Sequence, residues 1–512
     1  MTNRLKILVS VLILTASVAT TYMNSLYGVF VFDDIPVILS NASITGHLPM
    51  PIDSRLLCNL SFKSNILIFG TSRFPFHAVN IFIHILASIF LFLTIKTTLD
   101  LRRGIAPNLS DRLIIAFSAA LIWGAHPLTT QSVTYICQRY ESMAGMFLLA
   151  SLYFFARSLQ THSRTRLNAN LSLLACLLGM SCKEVMITAP AIILLYDYTF
   201  SGDSFRIMWQ KRKYYYLCLI LLTAGLLLLW LGTLSRTWNL GMVVTTTTSG
   251  NNYLINQSDV ICKYIAKAIY PAGLRFVSNP EIMPITALLP SLLTITSLLL
   301  SSIVLAMKRH PAGFAMFSFF ILLAPTSSFI PLPDLYAEQR MYLPLALIIS
   351  TVIATAFHFA APYYKYKIVL ISLIAFATIT LAVTTHIRNH DYYTELTLWE
   401  SVTKVEPLNA RAHLGIGTAY YGMKRPCEAE ASFKNVLIIL KNKDNATKSG
   451  QRTEYISALN NLGTIEFSRG RYEDAAKYFK EAIHIAPLYK DAVRNLTVCE
   501  ETAKRNQHKT EH

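Results

Sequence analysis

"IVLISLIAFATITLAVTTHI" occupies Ile368 to Ile387 and runs straight into "RNHDYYTELTLWESV" (Arg388 to Val402). The first stretch has no Asp, Glu, Lys or Arg over the length a helix needs to cross a bilayer. The second carries charges at short intervals. Their junction divides the chain into an apolar part and a soluble tail, with expected domains 1–390 and 391–512. The whole chain of 512 residues is 53% hydrophobic and only 15% charged, and its mean hydropathy is +0.41. Soluble domains carry about a quarter charged residues. Apolar blocks predict spans near 6–23, 76–95, 113–127, 142–157, 168–182, 185–200, 214–233, 286–307, 311–331, 341–361 and 368–387. The expected fold is therefore all-α: a polytopic membrane protein of about eleven helices with a soluble C-terminal part.

The net charge of +17 raises the question of nucleic acid. Up to Ile387 there are 27 Lys and Arg against 13 Asp and Glu, whereas the tail holds 19 against 16. The excess sits in the membrane part, where loop charge sets orientation, and no nucleic-acid partner is expected. Seventeen of the 27 basic residues fall in the shorter set of loops, Arg102, Arg103, Arg112, Lys211, Arg212, Lys308, Arg309, Lys365 and Lys367 among them. That asymmetry predicts a cytoplasmic N-terminus. With an odd number of spans, it also predicts an extracytoplasmic tail, in a bacterial inner membrane or the endoplasmic reticulum. The first run also has weak signal-peptide spacing at Ala16 and Ala19. "CKYIAKAIYPAGLRF" (Cys262 to Phe276) carries Lys263, Lys267 and Arg275 and reads as an amphipathic surface helix. The eight Cys form no CxxC pair; Cys176, Cys182 and Cys218, in or beside apolar runs, read as small buried residues, and for Cys427 and Cys499 in the tail pairing stays open.

The tail repeats itself. "ARAHLGIGTAYYGMKRPCEAEASFKNVLII" (Ala410 to Ile439) aligns with "ISALNNLGTIEFSRGRYEDAAKYFKEAIHIAP" (Ile456 to Pro487), matching Gly417 to Gly463, Ala429 to Ala475 and Phe433 to Phe479. This is the tetratricopeptide pattern of paired helices, with "KNKDNATKSGQR" (Lys441 to Arg452) as an insertion. A third helix is expected at 489–506. Two to two-and-a-half repeats are near the minimum for independent stability, so the tail is expected to lean on the membrane part. A peptide or protein partner is the default ligand of such a solenoid; a spacer or a dimer contact is the plainer reading.

The loop-charge argument places four polar segments at one membrane face: "FVFDD" (Phe30 to Asp34), "HPLTTQSVTYICQRYE" (His126 to Glu141), "SCKEV" (Ser181 to Val185) and "DLYAEQRMYLP" (Asp334 to Pro344). Two adjacent carboxylates at a dry rim suit a general base, and basic groups beside them suit a leaving phosphate. By spacing alone Asp34 is equally well the cap of a helix whose first turn holds Pro36. Basic residues at this face double as headgroup contacts or local ion pairs such as Lys183 with Glu184 or Glu338 with Arg340. His126, ahead of Pro127, orients an acid or sugar, or makes a structural hydrogen bond. Tyr342 and Tyr135 stack on sugar or line a lipid groove. His77 and His84, within a span, make no convincing metal site. "TTTTSGNN" (Thr245 to Asn252) reads as a loop that can cover the site.

These blocks, in order and including the C-terminal repeats, resemble those of the transmembrane and TPR-containing O-mannosyltransferases and their bacterial relatives. Where members of that family read like "GRAD" this chain has "QRYES" (Gln138 to Ser142), and where they read like "AERVLYLP" it has "AEQRMYLP" (Ala337 to Pro344). The animal members also carry many more repeats. The resemblance implies a GT-C glycosyltransferase that moves a sugar, mannose being the one suggested, from a polyprenyl-phosphate donor to an acceptor hydroxyl with inversion. It implies catalytic Asp33 and Asp34, with Asp34 favoured as base and Asp33 supporting it or holding a metal. It implies donor binding by Arg139, Lys183, Arg340, Glu141, Glu184, His126 and Tyr342. A lipid-linked sugar is then the co-substrate, no cofactor is required, and a divalent metal on Asp33 or Asp34 stays open. A protein Ser/Thr is the favoured acceptor. A lipid or cell-surface glycan acceptor, or a non-catalytic scaffold, are the rival readings. A transporter fits poorly, because the ionisable residues sit at span ends.

Overall fold

The computed structural model describes residues 2–102, 108–160, 164–239, 249–278, 282–328, 330–332, 334–360, 363–441 and 452–510. Among them every long element is a helix and no strand occurs. The expected covering loop at 245–252 falls largely outside the described residues; its last three positions open a helix.

The centre of the membrane part is α3 (Arg73–Leu101), 29 residues and roughly 44 Å long at 1.5 Å per residue. It buries Phe76, His77, Asn80, His84, Ala87, Ser88 and Leu91, which recur at steps of three and four along one face. Against it pack α1 (Asn3–Tyr22), α4 (Leu109–Gly124) and α6 (Arg139–Ser158). Next to α4 stands α13 (Tyr342–Ala360). The periphery consists of α9 (Phe205–Asn239), α11 (Ile285–Met307) and α14 (Tyr364–Asn389). These expose Leu221, Leu228, Leu293, Leu300, Phe376, Ile379 and Val383, an apolar surface that suits lipid rather than water.

Among the described residues six helices are long and apolar enough to cross a membrane. A seventh span is added if α4 and the following Pro127–Thr134, bent by 55°, count as one. Helices do stand at the other expected positions: α6, α7 (Thr165–Met180), α8 (Ala189–Phe200) and α12 (Pro311–Leu323). The last three have only 16, 12 and 13 residues, and α6 opens on Arg139 and Glu141, so the expected eleven reduces to six or seven by this measure.

Ion pairs sort into two groups. Lys96 and Arg112 meet Asp100, Lys367 meets Asp111, and Arg212 meets Asp197 and Asp203. At the opposite ends of the helices, Arg55 meets Glu184, Lys183 meets Glu141, Arg388 meets Glu338 and Arg411 meets Asp334. The amphipathic helix expected at 262–276 is α10 (Gly250–Ile269), which seats Tyr253, Gln257, Val260, Ile261 and Tyr264 on the bundle. It begins earlier than expected, capped by Ser249, and stops short because Pro271 and Gly273 (φ 61°) follow.

The tail opens with α15 (Glu395–Val405), capped by Thr394. Two helix pairs follow, α16 (Ala410–Gly422) with α17 (Pro426–Lys441) and α18 (Arg452–Ser468) with α19 (Tyr472–Ile485), and then α20 (Lys490–Thr510). The matched glycines have one cause. A Cβ on Gly417 would lie 2.5 Å from the Phe433 ring, and one on Gly463 would lie 2.6 Å from the Phe479 ring. Each repeat thus packs its second helix's Phe onto its first helix's backbone. Leu398, Trp399, Val402, Ala412 and Ile416 belong to the same buried cluster as the membrane helices, so the tail is continuous with the membrane core. All eight cysteines are free thiols; Cys176 and Cys182 are buried as expected, whereas Cys218, on the peripheral α9, is exposed.

Candidate active site

The Phe30–Asp34 stretch makes a tight turn, not the start of an ordinary helix. Phe32 has φ 48°, a left-handed backbone that a bulky side chain adopts only where its surroundings impose it. After it, Ile35–Leu39 forms a single wide π turn containing Pro36. Asp34 is fully buried, and each carboxylate oxygen accepts a backbone N–H: Oδ2 from Val31 (3.0 Å) and Oδ1 from Cys137 (2.6 Å). Asp34 therefore does not cap the following turn with its side chain. It joins the turn to the segment leading into α6. Burial holds its carboxyl well above the usual range, against the opposing pull of those two N–H groups.

Asp33 differs. It is half-buried, and its backbone N–H donates to the Tyr135 hydroxyl at 2.9 Å. Its carboxyl is raised by burial and lowered in turn by the Tyr135 hydroxyl and by the charges of Arg411 and Arg55, while Asp334 raises it. Asp33 is thus the member of the pair not locked onto backbone donors. Tyr135 is itself held edge-on by Phe276, ring centroids 5.1 Å apart.

Around this turn the other expected residues divide. Lys183 reaches Glu141 at 2.5 Å, not Glu184. Glu184 instead accepts from Arg55 Nε (3.2 Å) and Ser54 Oγ (3.0 Å). Burial opposes the charge on Glu184, but Arg55 outweighs it and the carboxyl sits below its ordinary value. The Arg55 side chain is 46% exposed and lies over the Tyr140 ring at 5.1 Å. Arg340 donates to the Asp334 carbonyl (2.7 Å), the Leu335 carbonyl (3.3 Å) and the Tyr253 hydroxyl (3.4 Å). All three acceptors are neutral, so its half-buried positive charge has no carboxylate partner among the described residues. Glu338, expected as a possible partner of Arg340, is fully buried and pairs with Arg388 (2.7 Å), while accepting the Arg275 N–H at 2.6 Å.

Three expected donor-binding residues lie inside the bundle instead of at the rim. Arg139 is completely buried and gives its N–H groups to Asn80 (2.7 Å), Asn65 (2.7 Å), Ser61 (3.0 Å) and the Phe76 carbonyl (3.0 Å), with Phe62 stacked at 4.4 Å. It ties α2 (Leu56–Phe69) to α3, and those contacts leave it no role as a surface clamp. His126 accepts the Leu128 N–H on Nδ1 and donates Nε2 to the Ala268 carbonyl, which is its structural reading. Tyr342 is buried and bonds His84 Nδ1 at 2.8 Å, with Trp123 packed against its ring. It cannot stack on a sugar without leaving the core. His84 spends its second nitrogen on the Gly124 carbonyl, consistent with its reading as no metal ligand.

Three contributors were not singled out from sequence. Arg55 is one of the few basic residues in the loops at this end, and that scarcity was the available signal. Asp334 lies within the quoted "DLYAEQRMYLP". Arg411 gave no signal, because a charged residue on a repeat helix reads as solvated surface. Among the described residues no three His, Cys, Asp or Glu side chains converge as a metal set. With both Asp34 oxygens committed to backbone donors, Asp33 is the member of the pair whose half-buried carboxylate meets the Tyr135 hydroxyl and no backbone donor.

A tetratricopeptide-repeat family model matches residues 456–489. The chain is similar to protein O-mannosyl-transferase TMTC1 of Mus musculus, 31% identical over 203 residues, or 34% of this chain and 20% of that protein. It is similar over far more of its length to protein O-mannosyl-transferase TMTC3 of Homo sapiens, at 22% identity across 93% of this chain and 60% of that protein. Protein O-mannosyl-transferase F38B6.6 of Caenorhabditis elegans is 24% identical across 84% of this chain and 62% of its own length. The chain thus has homologues named as glycosyltransferases over most of its length, and it spans from a fifth to about three-fifths of these relatives. No solved structure matches the chain.

Proposed function

We propose that this protein is an inverting membrane glycosyltransferase in which Asp33 is the general base. The observation that carries this reading is the presence at one end of the bundle of a half-buried carboxylate free of backbone donors, Asp33, and of a cation with no carboxylate partner among the described residues, Arg340. They are linked through Asp334, whose carbonyl takes Arg340 and whose charge reaches Asp33. A structural scaffold has no need of either. The names of the relatives support sugar transfer to a protein, with mannose as the sugar.

In the reaction the acceptor hydroxyl oxygen attacks the anomeric carbon of a polyprenyl-phosphate sugar. The hydroxyl proton passes to the Asp33 carboxylate. The bond from the anomeric carbon to the phosphate oxygen breaks, and its electron pair leaves with the polyprenyl phosphate. Attack opposite the leaving group inverts the centre. Arg340, whose acceptors are all neutral, stabilises the phosphate as its negative charge grows. Asp34 shapes the turn that aims Asp33. A protein Ser or Thr presented by the repeats is the acceptor, on the extracytoplasmic or lumenal side where the loop charges place this end.

The test is sugar transfer by the purified protein in lipid nanodiscs with a polyprenyl-phosphate mannose donor and protein or glycan acceptors. Asp33→Asn should lower kcat by about 100- to 10,000-fold, the usual contribution of a general base. Arg340→Gln should raise the donor KM more than the acceptor KM. Full activity in Asp33→Asn removes Asp33 from the chemistry. Transfer to glycan but to no protein replaces the acceptor.

A further inference from the structure

The tail reaches the turn that carries Asp33. Trp399 of α15 meets the Phe32 ring edge-on with centroids 5.8 Å apart, and meets Phe276 at 5.7 Å. Trp399 is itself wedged onto α16, where a Cβ on Gly415 would fall 2.3 Å from the indole. One turn earlier on α16, the Arg411 guanidinium lies over the same Phe32 ring at 4.8 Å and pairs with Asp334 Oδ1 at 3.0 Å. Phe276 takes a further edge of the ring at 5.7 Å. Three groups therefore pin Phe32, the residue whose left-handed backbone delivers Asp33, and two of them belong to the tail. A bulky residue is strained in that conformation and persists in it only while neighbours hold it.

We propose that the repeat tail is part of the active site: Arg411 and Trp399 are positioning residues that fix the Phe32–Asp33 turn, and Arg411 with Asp334 sets the charge environment of the base. This rests on Asp33 being the base. The groups facing Asp33 come from every element around it: Arg411 from α16, Asp334 from the loop ahead of Glu338, Arg55 from the start of α2, Tyr135 from the segment before α6, and Asp34 next in the chain. Burial and Asp334 oppose the ionised carboxylate; the Tyr135 hydroxyl, Arg411 and Arg55 favour it.

The signs follow. Arg411→Ala removes a favourable charge and leaves Asp334 unpaired, so Asp33 should protonate at higher pH. Asp334→Asn removes an opposing charge and should move it to lower pH. Arg411→Lys keeps the charge and should restore the wild-type position, while losing the flat contact with Phe32 and with it about tenfold in kcat. A residue that only supports the fold would not move the two titrations in opposite directions.

The experiment uses the full chain in nanodiscs with two readouts. One is the acid limb of kcat against pH. The other is infrared titration of protein labelled with ¹³C-aspartate, the Asp33 band being assigned by its loss in Asp33→Asn. Opposite shifts in Arg411→Ala and Asp334→Asn, with recovery in Arg411→Lys, support the proposal. Unchanged Asp33 titration in both folded variants overturns it, and so do shifts of the same sign. Should Arg411→Ala fail to fold, Asp334→Asn and Arg411→Lys decide the outcome. If no variant transfers sugar, wild type included, yet the infrared shifts occur, the coupling stands and the assigned activity fails.

Discussion

Asp33 and Asp34 are chemically identical and adjacent, and the structure gives them opposite vulnerabilities. Consider Asp34→Asn beside Asp33→Asn. The Asp34 carboxylate receives two backbone N–H donors in a fully buried place. An asparagine there keeps one acceptor and turns an N–H₂ toward the other donor, so one backbone N–H is left without a partner. Leaving a buried donor unsatisfied costs about 1–3 kcal/mol, and losing a hydrogen bond to a charged group about as much again. The loss should come to about 2–5 kcal/mol, a drop of several degrees in Tm. Asp33→Asn leaves no buried backbone N–H without a partner, and its amide oxygen can still accept from the Tyr135 hydroxyl that the carboxylate now receives, so its stability should match wild type within about 0.5 kcal/mol. Activity should run the other way. Asp33→Asn should be folded and nearly inert, whereas Asp34→Asn should retain measurable kcat in whatever fraction stays folded. The assay is paired: thermal unfolding of each purified variant in the same detergent, and kcat normalised to folded protein. A stable, inactive Asp34→Asn together with an active Asp33→Asn would refute the assignment of structural and chemical roles.

Other consequences are equally direct. Arg139→Gln should destabilise the membrane part by about 2–4 kcal/mol, since four buried acceptors lose a charged donor, yet leave the donor KM of the folded fraction within twofold; a large selective rise in donor KM would return Arg139 to the phosphate site. Glu338→Gln should cost up to about 3–5 kcal/mol because the buried Arg388 is left with only the looser Asp391 contact at 3.6 Å, and Glu338→Leu with Arg388→Met should recover much of it in a double-mutant cycle of unfolding. Gly463→Ala should loosen the second repeat by about 1–3 kcal/mol, with Phe479→Leu relieving the clash, as read by hydrogen exchange in α18 and α19. Since burial and Asp334 raise the Asp33 carboxyl above the ordinary carboxylate value, a base there is protonated and inactive at low pH, and kcat should fall on acidification at a pH above 3.8.

The sequence determined the architecture on its own because length and composition are local properties. Twenty residues without Asp, Glu, Lys or Arg precede Arg388, and charges recur at short intervals after it. The Gly417–Phe433 and Gly463–Phe479 pairs register the repeat because each Phe needs a neighbour without a Cβ. The sorting of loop residues by charge assigns Asp33, Lys183, Glu184 and Arg340 to one end, and the ion pairs of Lys183 and Glu184 fall at that end of the helices. Only the tertiary structure decided which of these is available for chemistry. Arg139, Lys183 and Arg340 are indistinguishable as letters. One is consumed by neutral acceptors deep inside, one by a carboxylate, and one keeps its charge without a carboxylate partner. Asp33 and Asp34 differ by a rotation of the chain at Phe32, and that rotation is held by side chains more than 200 residues away, at Phe276, Trp399 and Arg411. Hydrophobic period and charge are written along the chain, but hydrogen-bond commitment depends on partners brought together by folding.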